Sequence, residues 1–267
     1  MAYESIIVEK ENRVTTIILN RPEKLNALNM TMRWEILRAT QDAAKDLDTN
    51  VLVFTGAGKG FCSGGDVEDM AAGKFHSALA DPSLKIKSPQ DLGNLIVTMI
   101  RQMPKPVIAS VNGVAAGGGC NLALACDIRI GSDRARFGQV FVRRGLHPDW
   151  GGTFFLPHLV GTSKACELIF AGEVIDALEA EKIGLLNKLV PQEKLTEATK
   201  EFALRLAKGA SIPMGLAKRA IYKAMETDLS SILEYELYAQ RICTESEDYR
   251  EGIKSFLEKR QPEFKGK

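Results

Sequence analysis

The chain has little that would mark a secreted, membrane-spanning or metal-binding protein. Its five cysteines, Cys62, Cys120, Cys126, Cys166 and Cys243, are odd in number and form no C-x-x-C pair. That argues against a disulfide framework or a zinc site and for a reducing compartment. His76, His147 and His158 are too scattered for a metal-ligand motif, so no metal is expected. No apolar run approaches the ~20 residues of a membrane span. The stretch "MAYESIIVEKENR" alternates apolar and charged residues and does not read as a signal peptide. A charge excess is also missing. Lys and Arg number 35 against 34 Asp and Glu, for a net charge of +1. Neither nucleic acid nor an anionic membrane is therefore the expected partner. The cytoplasm is the expected location.

What is present is a mixed α/β pattern. The 267 residues, 45% hydrophobic, fit one large domain or one domain with a helical appendage. "SIIVEKENRVTTIILNRP" predicts two strands joined by a turn at Glu11-Asn12. "NMTMRWEILRATQDAAKDLDTN" has helical spacing, with Asn29 or Thr31 as its cap. "VLVFTGAG" and "VIASVNG" read as buried strands, and "LGNLIVTMIRQM" as a helix ended by Pro104 and Pro106. The segment "KFHSALADPSLKIKSPQ", about 74–90, lacks periodicity and reads as a loop or a substrate-side lid. From Ser163 onward amphipathic helices dominate. No fixed-period repeat is evident.

Three stretches are candidates for chemistry. Gly117, Gly118 and Gly119 stand together in "GVAAGGGCNLALACD", and a second glycine turn lies in "GKGFCSGGDVEDM". Each follows an expected strand and leads into a helix. Glycine there lets the backbone approach a ligand with its N–H groups outward. Two such turns converging would make a two-donor hole for a developing oxyanion. Taken locally, either turn serves equally well to pack a helix tightly on a sheet. Neither is a Walker A or a G-x-G-x-x-G motif. The third stretch is "FGQVFVRRGLHPDWGGTFFLPHLVG". Its Asp149, beside Trp150, Phe154 and Phe155, is either a general base in an apolar pocket or a turn residue before a helix begun by Thr153.

"LNRPEKLNALN", "VFTGAGKGFCSGGDVEDM", "KPVIASVNGVAAGGGCNLALACDIRI", "ARFGQ" and "GLHPDWGGTFFLPHLVG", in that order, resemble the crotonase, or enoyl-CoA hydratase/isomerase, superfamily. The likeness spans nearly the whole chain, down to "DYREGIKSFLEKRQPEFKGK". It implies an α/β spiral of repeated ββα units over residues 1–200, with a helical C-terminal trimerisation region over 201–267. It implies an acyl-CoA thioester ligand, no cofactor beyond that coenzyme A, and a homotrimer or dimer of trimers. By motif, the N–H groups of Gly65 and Gly118 become the oxyanion donors. Arg21, Lys24, Ser63 and Asp66, with Phe256 and Lys259 of the C-terminal helix, become CoA contacts. Asn121, Phe141 and Trp150 are expected to line the acyl site.

The sequence departs from the family's hydratases at two places. Where they carry one glutamate after the triple glycine, this chain has Asn121. Where they carry a second in F-G-Q-P-E, it has Phe141. Asp149 matches the aspartate of family isomerases, most closely in the motif of the phenylacetate-pathway isomerase. The resemblance therefore implies isomerisation of an unsaturated acyl-CoA with Asp149 as base. The alternatives are a hydratase or a dehalogenase-like aryl-CoA hydrolase using Asp149, and a non-catalytic acyl-CoA- or RNA-binding homologue.

Overall fold

Valine, isoleucine and threonine in alternation favour strands, and the chain opens with a hairpin built from them. The computed structural model describes residues 3–73, 86 and 88–267. Strands β1 (Ile6–Glu11) and β2 (Val14–Leu19) pair antiparallel. Their turn is Asn12-Arg13, one residue later than expected, because both residues take left-handed backbone (φ 50 and 65). Helix α1 (Met30–Lys45) follows, capped by Asn29, whose side chain accepts from the Met32 N–H at 2.8 Å.

From here the chain alternates between two sheets. Strand β3 (Val51–Gly56) joins the first sheet and β4 (Gly60–Cys62) begins the second, before α2 (Val67–Ala71) and α3 (Pro89–Gln102). Strands β5 (Val107–Val111) and β6 (Val114–Ala116) repeat the move and lead into α4 (Gly118–Ala125). Strands β7 (Ile128–Ser132) and β8 (Arg136–Gly138) repeat it again and lead to α5 (Gly152–Val160) and α6 (Thr162–Ala171). Strand β9 (Val174–Asp176), α7 (Ala177–Lys182) and β10 (Lys188–Val190) close both sheets. The orders are β1-β2-β3-β5-β7-β10 and β4-β6-β8-β9. The repeated unit is thus structural. Unequal connections hide it from the sequence. The lid or loop expected near 74–90 lies largely outside the described residues, but Pro89 and Gln90 already belong to α3, behind a Ser88–Asp91 capping box.

Side-chain alternation gives the first sheet two covered faces. Leu52, Phe54, Val107 and Ala109 face the main core with Phe61, Phe137 and Trp150. Val51, Val53, Ile108 and Ile130 face the other way, onto α8 (Leu195–Ala207) through Leu195, Ala198 and Ala203. The boundary expected at residue 200 therefore falls inside a helix that belongs to the core. The C-terminal helices α9 (Ser211–Lys223), α10 (Leu229–Glu245) and α11 (Glu247–Leu257) come after it. Lys218 moors α9: its Nζ pairs with Asp127 at 2.8 Å and donates to the carbonyls of Ile100 and Lys105 at 2.8 and 3.0 Å. Tyr222 donates a short hydrogen bond to the same carboxylate. All five cysteines are free thiols, and no helix among the described residues is long and apolar enough to cross a membrane.

Candidate active site

The second sheet brings the two glycine turns side by side. Strands β4 and β6 run parallel, with Cys62 opposite Ala115, so their C-terminal ends emerge together. A Cβ on Gly64 would lie 2.8 Å from the Ala116 carbonyl oxygen and 3.7 Å from the Gly117 Cα. The three glycines of the second turn have different duties. Gly117 sits at φ 52, ψ −127, which side chains disfavour. Gly119 packs α4 onto β4, where a Cβ would meet the Cys62 oxygen at 2.3 Å. At Gly118 a Cβ would find only ordinary contacts, Leu28 at 3.4 Å and Trp150 at 3.7 Å. What Gly118 supplies is an N–H at the start of α4, which has no intrahelical acceptor. Among the described residues neither this N–H nor that of Gly65 is used in a hydrogen bond. The helix dipole adds positive potential at Gly118.

The 21–28 loop forms one rim. Leu25 and Asn26 take left-handed backbone (φ 48 and 57). The Asn26 side chain accepts from the Arg21 N–H and donates to Ala57 and Gly60 carbonyls. The Leu28 N–H bonds the Gly64 carbonyl at 2.7 Å, which ties the loop to the first glycine turn. Arg21 and Asp66 form an ion pair at 2.9 Å, and Asp66 also caps α2. The Arg21 partner holds the Asp66 carboxyl below its usual value although burial opposes this. Lys24 pairs with Glu68 at 2.6 Å in the open, and Ser63 Oγ donates to the Lys24 carbonyl. The structure therefore gathers Arg21, Lys24, Ser63 and Asp66 beside Gly65. Phe256 is 83% exposed and Lys259 follows the end of α11, which packs on α10 and not on the turns.

Asp149 is held to α4 through its backbone carbonyl, which accepts from Asn121. Its Oδ1 is buried without a hydrogen-bond partner among the described residues. Burial raises its carboxyl above the ordinary value of 3.8, against the opposing pull of the Arg33 guanidinium. Trp150, wholly buried, is a wall behind the site. It packs under Gly118 and against Gly93, where a Cβ would strike its Nε1 at 2.1 Å. The Phe141 ring lies beside Gly117. Helix α5 starts at Gly152 and is capped by Gly151, not by Asp149.

Two expectations need correction. Phe154 does not enclose Asp149. It is 39% exposed and stacks on His158 and Phe155. Asn121 is not exposed toward a ligand: it is fully buried, its Nδ2 donates to the Asp149 carbonyl at 2.7 Å, and its Oδ1 accepts from Gln139 Nε2 at 2.7 Å.

Arg33 escaped the sequence reading. It is buried, donates to the Pro89 carbonyl at 3.0 Å, and stacks 5.4 Å from the Trp150 ring centre. Burial pushes its guanidinium down to about 10. The signal was present, since Arg33 shares a helix face with Ile36 and Leu37 at i+3 and i+4.

This arrangement has counterparts in known proteins. The family model described as enoyl-CoA hydratase/isomerase matches residues 9–267. The chain belongs to the enoyl-CoA hydratase/isomerase family. It is an enzyme family, and the crotonase fold is shared. A crotonyl-CoA hydratase of Syntrophomonas wolfei is 39% identical, over 99% of each chain. A 1,2-epoxyphenylacetyl-CoA isomerase of Escherichia coli is 38% identical, also over 99% of each. The crystal structure of an enoyl-CoA hydratase from Bacillus anthracis superposes with a TM-score of 0.90 at 34% identity, covering 99% of this chain and all of that one. Family members thus carry hydratase and isomerase names on one scaffold.

Proposed function

We propose that this enzyme shifts a double bond in an unsaturated acyl-CoA. The N–H groups of Gly65 and Gly118 bind the thioester oxygen and take up the charge of the dienolate. Asp149 removes the α-proton of a 3-enoyl thioester and returns it at the γ-carbon, or, from a 2-enoyl thioester, takes the γ-proton and returns it at the α-carbon. One observation carries this reading: Asp149 offers a buried carboxylate oxygen with no hydrogen-bond partner among the described residues, while Asn121 is buried and bonded through both its amide nitrogen and oxygen, and Phe141 is apolar. A water attacking the β-carbon would find neither of two positioned carboxylates. Phe141 and Trp150 keep the site apolar.

Coenzyme A lies along Arg21, Lys24 and Ser63, with Asp66 holding Arg21 in place. The exposed Lys24–Glu68 pair is screened by solvent and opens readily for a phosphate. Phe256 and Lys259 complete this site from a neighbouring copy in a trimer or a dimer of trimers. No cofactor beyond the substrate's coenzyme A is required. Buried free thiols suit a cytoplasmic setting.

The test is isotopic. In D₂O, 3-hexenoyl-CoA should yield 2-hexenoyl-CoA carrying deuterium at the γ-carbon and no added oxygen. In H₂¹⁸O, label at the β-carbon as the main outcome would establish hydration instead.

A further inference from the structure

Asn121 is the best-defined polar group near the two turns without a role in the proposed chemistry. A carbonyl oxygen only accepts, so the contact with the Asp149 carbonyl fixes the Asn121 amide with its NH₂ toward that carbonyl. The Asn121 oxygen must then face Gln139, and Gln139 must present its own NH₂. The donors thus run one way, from Gln139 through Asn121 to the Asp149 backbone. Asn121 and Gln139 are buried and Asp149 is half-buried. The Gln139 Oε1 has no partner among the described residues, but each contact along the chain is made, and breaking one in the interior is costly.

The turn that receives this chain is strained. Trp150 has φ 52 and Gly151 φ 76, and a large non-glycine residue persists in that region only where its surroundings hold it there. Asn121 braces the turn at both ends. Its Nδ2 reaches the Asp149 carbonyl, and its amide lies flat on Gly152, where a Cβ would come within 2.4 Å. Asn121 also sits in the first turn of α4, its own N–H bonded to the Gly117 carbonyl at 3.0 Å. Gly118 lies three residues before it on the same helix.

We propose that Asn121, oriented by Gln139, is a positioning residue that fixes Asp149 relative to the Gly118 N–H. One rigid helical turn then sets the spacing between the group that holds the thioester oxygen and the group that moves the proton. The inference rests on the reading of Asp149 as the base. It adds that a residue which never meets substrate governs turnover.

The experiment compares Asn121→Leu, Asn121→Asp, Gln139→Met, the double variant Asn121→Leu/Gln139→Met, and Asp149→Asn, all assayed on 3-hexenoyl-CoA in H₂O and D₂O. Misplacing a reacting group by about 1 Å costs on the order of 10²-fold in rate. Asn121→Leu should therefore lose roughly that factor in kcat, while KM holds within about twofold because the glycine donors remain. Gln139→Met should lose about tenfold in kcat, and the double variant should be no slower than Asn121→Leu. Asn121→Asp keeps its size but turns an acceptor toward the carbonyl, and should match Asn121→Leu. If Asn121→Leu does not fold, the Asn121→Asp and Gln139→Met variants decide. Unchanged kcat in the folded variants, KM rising in step with the loss of kcat, or additive kcat losses in the double variant would each overturn the positioning role. If Asp149→Asn abolishes exchange while the Asn121 variants keep kcat, only this inference falls. If Asp149→Asn exchanges like the parent, the base assignment falls and takes the inference with it.

Discussion

Asp149 is held in a place that favours its proton. Because burial raises its folded-state value above 3.8, ionising it opposes folding. The sign follows from linkage: a carboxyl raised on folding contributes stability below its unfolded value, and that contribution is lost as pH climbs through the folded value. Asp149→Asn should therefore melt at a higher temperature than the parent at neutral pH, checked by calorimetry. The same substitution should lower kcat by about 10²–10⁴-fold while KM changes little. In the parent, kcat should fall as pH drops through the raised value, so the acid limb of the profile should lie above 3.8 and vanish in Asp149→Asn. The donors make a separate prediction. Proline at position 118 is tolerated at the first residue of a helix but carries no N–H. Gly118→Pro should fold and lose about 10²–10³-fold in turnover. A folded Gly118→Pro with full kcat would exclude that N–H as a donor.

At the level of elements, much was legible from local pattern. The hairpin, α1 with its Asn29 cap, the buried strands and the two strand-to-helix glycine turns follow from periodicity, capping chemistry and backbone freedom. The motif likeness then pointed to Gly65, Gly118 and Asp149. What escaped depends on contacts between segments distant in sequence. Arg33 meets Trp150 and the site only after α1 packs beside α3. Asn121 was read as a ligand contact or a helix-start residue because it stands where the family's hydratases carry a glutamate, yet its amide partners lie 18 and 28 residues away. Phe154 was placed beside Asp149 by adjacency, but it is part-exposed and its ring meets Phe155 and His158. The mooring of α9 is equally non-local, as Lys218 and Asp127 are nearly buried (8% and 15% exposed). Removing one partner of such a pair typically costs ~3–5 kcal/mol. Lys218→Met should show a loss of that size in urea unfolding, with Asp127→Asn/Lys218→Met recovering part of it.

The molecule as a whole leaves its C-terminal helices unfinished. Leu229, Leu237, Phe256 and Leu257 are each more than 70% exposed. In a monomer, an exposed substitution such as Leu237→Asp should change stability by no more than about 0.5 kcal/mol. In the proposed trimer it would place a charge in an interface. Sedimentation should find the parent as three or six chains and Leu237→Asp as smaller species with weakened CoA binding. A parent that sediments as one chain at micromolar concentration would refute the assembly.

Both proposed donors belong to the main chain, and inherited variation acts on them differently from side chains. Every codon change at positions 65 and 118, except one to proline, leaves the N–H in place. An added methyl at position 65 would press on the flexible end of Met70 and touch the Arg33 guanidinium at 3.5 Å, and at 118 it would meet ordinary contacts. Asp149, by contrast, can be lost in a single nucleotide step. A gene for this chain can therefore drift or be selected toward a new reaction on the same thioester while the grip on that thioester persists. Descendants would be expected to differ first in what they do to the acyl carbons and last in how they hold the carbonyl.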